Sequence, residues 1–369
     1  MAQIGTIAAS MCPSGKVLVV TGSDPARAEP LNALLRAAGL TPVVFPTQGE
    51  PKVETAENGV RMARAEGCDL VIGFGGGSAI DAGKAISALA TNPGEPLDYL
   101  EVIGKAQPLE QPPLPYIAVP TTAGTGSEVT RNAVLASAEK KVKVSVRSPL
   151  MIPRVAVIDP ALATSLPPSV TASAGMDALT QVIEPFVSSK ATPMTDALAR
   201  EGIMRGARSL RRAYEQPDDL DARADMALAA LFSGISLANA GLGAVHGFAG
   251  PLGGMYPIPH GVICARLLPI VMETNLKALR ARAADHPALA RYGEIARIVT
   301  GKANAAADDG VAWAYELRDA LAIPALGEFG LERDAFADVL PKAQRASSMK
   351  GNPLPLTDEE LLGILTQAV

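Results

Sequence analysis

The chain has 369 residues, 48% of them hydrophobic and 19% charged, with 33 basic and 38 acidic side chains for a net charge of −5. The length excludes a disulfide-stapled mini-protein, the composition excludes a disordered chain, and the lack of a basic stripe argues against a nucleic-acid partner. At roughly 100 to 200 residues per domain, the length predicts two domains.

Residues 1–12 are uncharged and lack the basic start and long apolar run of a secretory signal. The cysteines, Cys12, Cys68 and Cys264, are far apart and odd in number. Neither a disulfide framework nor a Cys-rich zinc site is available, which points to a reducing cytoplasm.

Nearly continuous apolar runs at 17–20, 43–45, 70–72, 116–119 and 155–158 read as strands buried on both faces. Helical patterns at 29–38 and 55–66 separate the first three, so the order is βαβαβ, and a mostly parallel, doubly wound sheet is expected. The third strand runs into Gly73-Phe74-Gly75-Gly76-Gly77-Ser78 and then a helix carrying Asp81 and Lys84. Glycines admit close backbone approach, and a helix start offers free N–H groups to a phosphate. The spacing departs from the dinucleotide fingerprint, whose third glycine is Ser78 here, and from a Walker A loop, where Ala85 replaces Ser or Thr. The local alternative is a plain strand-to-helix turn capped by Ser78 with Asp81 completing a capping box. The fourth strand ends in a second such turn, Pro120-Thr121-Thr122-Ala123-Gly124-Thr125-Gly126-Ser127-Glu128. It lies at the carboxyl end of a parallel strand, where open α/β sheets bind ligands, with an ordinary polar loop as the alternative.

Beyond Asp159-Pro160 and the breakers at 166–169, β-branched runs fade and Ala, Leu and Arg dominate. The expected domains are 1–162, dinucleotide-binding, and 163–369, all-helical, with long helical patterns at 193–214 and 223–241. From Met226 to Ala265 there is no Asp, Glu, Lys or Arg. A bilayer span needs about 20 mostly apolar residues, but prolines, glycines, Asn239, His246 and His260 break this run. It reads as a buried helix and a turn-rich crossover, with no membrane partner.

Two of the three histidines, His246 and His260, lie in that uncharged run. Upstream, Asp177 and Gln181 sit at i and i+4 on one helix face. A carboxylate, an amide and two imidazoles make a mixed N/O site suited to Zn²⁺ or Fe²⁺ with an open position. The alternatives are hydrogen-bonded core histidines, an Asp177–arginine pair, and a helix kink at Pro185 that accounts for Gln181. His286 reads as surface loop.

Taken together, these residues resemble the iron-containing alcohol dehydrogenase family, which includes glycerol dehydrogenase and maleylacetate reductase. The matches are Gly75-Gly76-Gly77-Ser78 with Asp81 and Lys84, residues 120–128, Asp159-Pro160, Gly175-Met176-Asp177-Ala178-Leu179, and His246 to Pro259-His260-Gly261, in family order over most of the chain. The resemblance implies a Rossmann-like N-terminal domain, an all-α C-terminal domain of dehydroquinate synthase type, and a homodimer. It implies NAD or NADP held by Gly76, Gly77, Ser78 and Asp81, with Thr121, Thr122, Thr125, Thr130 and Lys143, and with Gly22 and Ser23 in the turn after the first strand. Asp177, His246 and His260 are then metal ligands, with Gln181 in fourth place.

Three departures stand out. Gln181 occupies a position that is His in the alcohol dehydrogenase branch, and an amide is a weaker, neutral ligand; glycerol dehydrogenase manages with Asp, His and His. Gly250 stands where many members carry another His, so a proton relay there would use water, the ribose or substrate. The segment before the first strand is short. Asp24 follows the first strand late, which leaves NADP open.

The expected activity is NAD(P)-dependent interconversion of a small alcohol with its aldehyde or ketone at a divalent metal. The alternatives are a metal-independent reductase of the maleylacetate type, a dehydroquinate synthase-like lyase, disfavoured by the missing cations, and a dinucleotide-binding protein without catalysis.

Overall fold

The computed structural model describes residues 1–137, 139–140 and 142–369. Chain packing divides it into two units, Met1–Thr122 with Ser127–Ala163, and Ala123–Gly126 with Thr164–Val369.

In the first unit, β1 (Lys16–Thr21), β2 (Thr41–Pro46), β3 (Leu70–Gly75), β4 (Tyr116–Pro120) and the short β7 (Val155–Ala156) form one sheet in the order β2-β1-β3-β4-β7. Every neighbouring pair is parallel. The expected last strand at 155–158 is shorter, although Val157 N–H still donates to the Ala118 carbonyl at 2.8 Å. Alternate residues face opposite cores, which explains why the runs are apolar throughout. Leu18, Val20 and Val71 pack with Val60 and Ile86, whereas Val17, Val19, Leu70 and Ile72 pack with Ile4, Leu31 and Leu35. Helices α1 (Ile4–Ala9) and α2 (Glu29–Ala37) thus cover one face, and α3 (Val53–Glu66) and α4 (Gly77–Thr91) the other. Gly67, in the left-handed conformation at φ +67°, ends α3.

A four-residue helix, α5 (Pro96–Tyr99), precedes β4, and an antiparallel hairpin, β5 (Asn132–Ser137) with β6 (Val142–Arg147), precedes β7. The hairpin was not expected from apolar runs because it buries one face only: Ala133, Leu135, Val144 and Val146 point inward and their neighbours outward. Its signal was the strict alternation of Val142-Lys143-Val144-Ser145-Val146-Arg147.

The second unit is helical: α6 (Pro168–Val187), α7 (Pro193–Glu215), α8 (Leu220–Ala240), α9 (Ala244–Met255), α10 (His260–Arg282), α11 (Ala288–Thr300), α12 (Ala307–Ala320), α13 (Phe336–Arg345) and α14 (Asp358–Ala368). Thr192 caps α7, its hydroxyl accepting from Thr195 N–H, with Pro193 in the first turn. Gly202 and Gly206, one turn apart on α7, lie against Val182 and Leu179 of α6, where an added Cβ would come within 2.7 Å and 2.6 Å of those side chains. Small residues therefore let α7 seat against α6, the helix that carries the site. Among the described residues no single helix is long and apolar enough to cross a membrane; α8 and α9 reach that composition only as a pair bent by 100°.

Candidate metal centre and dinucleotide turns

Helix α6 presents Asp177, Gln181 and Glu184 at i, i+4 and i+7, a stripe down one face. Two other helix starts are brought to that stripe. At the first, Gly243 precedes α9, and a Cβ there would lie 2.9 Å from Glu184 Oε1. Only glycine lets that carboxylate reach the helix end, where Oε1 accepts from Val245 N–H at 2.7 Å and Oε2 contacts His246 Nδ1 at 2.7 Å. At the second, Gly261 brings the start of α10 onto α6, since a Cβ would lie 2.6 Å from the Ser173 carbonyl oxygen. Pro259, immediately before the helix, fixes the approach of His260.

The consequence is convergence. Asp177 Oδ1 lies 3.3 Å from His246 Nε2 and 3.8 Å from His260 Nε2. Cys264, one turn after His260 on α10, brings its Sγ to 3.6 Å from His246 Nε2 and 3.7 Å from His260 Nε2. One donor atom from each of the four residues falls within 4.8 Å of the others. Asp177 is 2% exposed, and its Oδ1 has no hydrogen-bond partner among the described residues. A buried, orphaned carboxylate oxygen is costly. In the neutral ring, with Nδ1–H donated to Glu184, His246 turns the lone pair of Nε2 toward that oxygen, so two acceptors face each other unless a proton or a cation stands between them. A dication between them would satisfy both, and the donor set fits one.

Without a cation, a proton takes that place. Burial works to raise Asp177, but His260 and His246 outweigh it and hold the carboxyl below its ordinary value. Burial works to lower His246, and the Cys264 sulfur together with the Asp177 and Glu184 carboxylates outweighs it, keeping the imidazole well above its usual range. Burial pushes the Cys264 thiol up to about 12. The side chain of His260 is the accessible edge of the cluster at 34% exposure, against 2% for Asp177 and 7% for His246. Gln181 is also buried, and its amide nitrogen donates to the Gly124 carbonyl at 3.2 Å. His286 lies apart, in the turn before α11, where its Nδ1 accepts from Ala288 N–H.

In the first unit the sheet order places β1 beside β3 with β2 on the far side, so the chain reverses direction across the sheet between β1 and β3. Open α/β sheets bind ligands at that switch point, outside the carboxyl ends of the strands. Gly22, after β1, and Gly75, at the end of β3, meet there: a Cβ on Gly75 would lie 3.4 Å from the Gly22 amide nitrogen. Gly76, not Ser78, is the residue before α4, and among the described residues no side chain caps that end. The capping-box reading of Ser78 and Asp81 fails because Ser78 already lies within the helix. Thr122 flanks Gly76, 3.3 Å from where a Cβ would stand, and Thr121 N–H donates to the Gly75 carbonyl at 2.8 Å.

Other residues of the sequence reading are held within the protein. Asp81 accepts from Ser127 Oγ and, at 3.0 Å, from Val134 N–H, and pairs with Lys84 at 3.2 Å. Buried Lys84 also donates to the Ser127 carbonyl at 2.8 Å and to Thr130 Oγ1 at 3.0 Å, pinning the end of the second glycine-rich turn. Lys143 pairs with Glu50 at 2.5 Å. Thr125 falls in the 123–126 stretch that packs with the helical unit, where a Cβ on Gly126 would lie 2.5 Å from Gly234 Cα. Ser23 follows Gly22 in the turn after β1 and is exposed.

Comparison with known proteins matches residues 1–160 to the iron-containing alcohol dehydrogenase model and residues 171–369 to the C-terminal model of the same family. The chain belongs to the iron-containing alcohol dehydrogenase family. It is 36% identical over 360 residues to alcohol dehydrogenase 4 of Saccharomyces cerevisiae (strain YJM789), covering 96% of this chain and 91% of that protein. The crystal structure of a 1,3-propanediol oxidoreductase aligns at a TM-score of 0.90 and 34% identity over 100% of this chain and 95% of that one. That of sulfoacetaldehyde reductase from Bifidobacterium kashiwanohense, in complex with NAD⁺, aligns at 0.86 and 28% over 100% and 94%. This dehydrogenase is an oxidoreductase of alcohols and their aldehydes, with a dinucleotide and a divalent metal as its family cofactors.

Two residues of the cluster were missed in the sequence. Glu184 is a lone charge in the apolar run Val182-Ile183-Glu184-Pro185-Phe186, seven positions after Asp177, and that isolation was its signal. Cys264 follows His260 by four positions on the same helix. Its signal was the i, i+4 spacing, passed over because the cysteines were read as a set.

Proposed function

We propose that the chain interconverts a small, uncharged alcohol and its aldehyde or ketone, with Asp177, His246 and His260 holding the metal and NAD or NADP as the hydride carrier. The observation that carries this reading is the orphaned Asp177 Oδ1 facing two imidazole Nε2 atoms. A dication held there supplies Lewis acidity to an alcohol or carbonyl oxygen, and the dinucleotide supplies the hydride acceptor or donor. Glu184 fixes the tautomer and direction of His246. His260, at the accessible edge, presents the cluster to substrate. Gly250 has no atom within 4 Å of a would-be Cβ, so it contributes space and no proton carrier. A proton relay through that position would use water, the cofactor ribose or the substrate itself.

The dinucleotide reading assigns Gly22, Ser23, Gly76, Gly77, Ser78, Thr121 and Thr122 to cofactor contact, with domains at 1–162 and 163–369. Asp81 and Thr130 act here as braces of the turn through Lys84, and Lys143 and Thr125 are assigned to the cofactor by resemblance. Free Cys12, Cys68 and Cys264 fit a cytoplasmic enzyme, and the family pattern fits a homodimer.

The test is elemental analysis of the purified protein together with turnover of a panel of alcohols and aldehydes with NAD(H) and NADP(H). The expected result is about one divalent ion per chain and activity that chelation removes and metal restores. Full turnover by a metal-stripped protein would overturn the metal role.

A further inference from the structure

We infer that Cys264 is a direct ligand, as thiolate, in the metal centre proposed above, so that this chain holds its ion with an oxygen, two nitrogens and a sulfur. The inference rests on that proposed centre and concerns its fourth donor.

Geometry carries it. Around one tetrahedral ion, bonds of ~2.0 Å to O and N and ~2.3 Å to S place O···N edges at about 3.3 Å and S···N edges at about 3.5 Å. The observed O···N separations are 3.3 Å and 3.8 Å, and the S···N separations are 3.6 Å and 3.7 Å. The sulfur thus stands where a fourth donor belongs, and a substrate oxygen would enter as a fifth. It is also aimed at the same point as an independent feature, the buried Asp177 Oδ1, which has no hydrogen-bond partner among the described residues. The backbone enforces this placement: His260 and Cys264 lie one turn apart on α10, whose start is locked against α6 at Gly261. Gln181 commits its amide nitrogen to the Gly124 carbonyl, which leaves the weak, neutral amide oxygen as its one ligating atom. On binding, the thiol S–H bond breaks, the metal–sulfur bond forms, and one proton leaves to solvent; no electron is transferred.

The consequence is a softer centre than oxygen and nitrogen donors alone would give. The test titrates Co²⁺ into the metal-stripped, full-length protein and reads the near-ultraviolet sulfur-to-cobalt charge-transfer band. X-ray absorption of the zinc-loaded wild-type protein gives a second reading that needs no variant. Expected are a charge-transfer band in wild type, its loss in Cys264→Ser with cobalt affinity down about tenfold or more, its retention in a Cys12→Ser/Cys68→Ser variant, and a zinc–sulfur shell at ~2.3 Å. Stoichiometric cobalt binding without the band, and a zinc shell of light donors only, would overturn the sulfur ligand while leaving Asp177, His246 and His260 standing. No cobalt or zinc binding at all would overturn both this inference and the metal centre beneath it.

Discussion

The turns of the α/β unit and the cluster of the helical unit are built from opposite materials. Around Gly22, Gly75 and Gly76 the structure works by removing side chains, so that backbone from neighbouring parallel strands lies close and the start of α4 is left uncapped. Around Asp177 it works by adding side chains from three helices until their donor atoms meet. Glycine serves in both places but differently: in the turns it makes the surface a ligand would touch, and at Gly243 and Gly261 it sits behind the cluster, letting helices approach. A backbone-built site depends on conformation and tolerates conservative side-chain changes nearby; a side-chain-built site fails when one atom is replaced.

That contrast is tested most sharply by Asp177→Asn, which keeps the shape but removes the charge. Turnover is expected to fall by about a thousandfold or more, while NAD(P)H affinity, read by nicotinamide fluorescence, stays within about twofold. A matched loss of dinucleotide affinity would mean that the two regions are not separate machines. Next in size is Glu184→Gln. Its amide can keep one contact with the start of α9 but no longer charges the partner of His246, so metal affinity is expected to drop about 10- to 100-fold. Competition with a chelating dye measures it, and unchanged affinity would reduce Glu184 to a helix cap. The smallest effect belongs to Gly76→Ala. The new methyl meets Thr122 Cγ2 at 3.3 Å, and dinucleotide binding is expected to weaken several-fold, about 1 kcal/mol, with metal content unchanged.

The same contrast explains what the sequence made legible. Parallel strands buried on both faces write themselves as continuous apolar runs, so all five sheet strands were read to within three residues at each end. The hairpin β5–β6 was not, because one face meets solvent and its apolar residues only alternate. Asp177, His246 and His260 were legible through a resemblance and through the oddity of two imidazoles in a stretch without charge. Their convergence was not, since it depends on how α9 and α10 seat on α6. Glu184 and Cys264 belong to that seating. No local pattern says that a glutamate will face the first turn of a helix some 60 positions away, at Val245 and His246.

One carboxylate joins the first turn of α9 to the imidazole that it orients. Because Glu184 takes the Val245 amide on one oxygen and His246 on the other, an ion drawing on that imidazole also tightens the main chain beside it. Deuterium uptake at the Val245 amide should therefore slow on loading, making one backbone hydrogen a gauge of occupancy that can be read without substrate, cofactor or any altered residue.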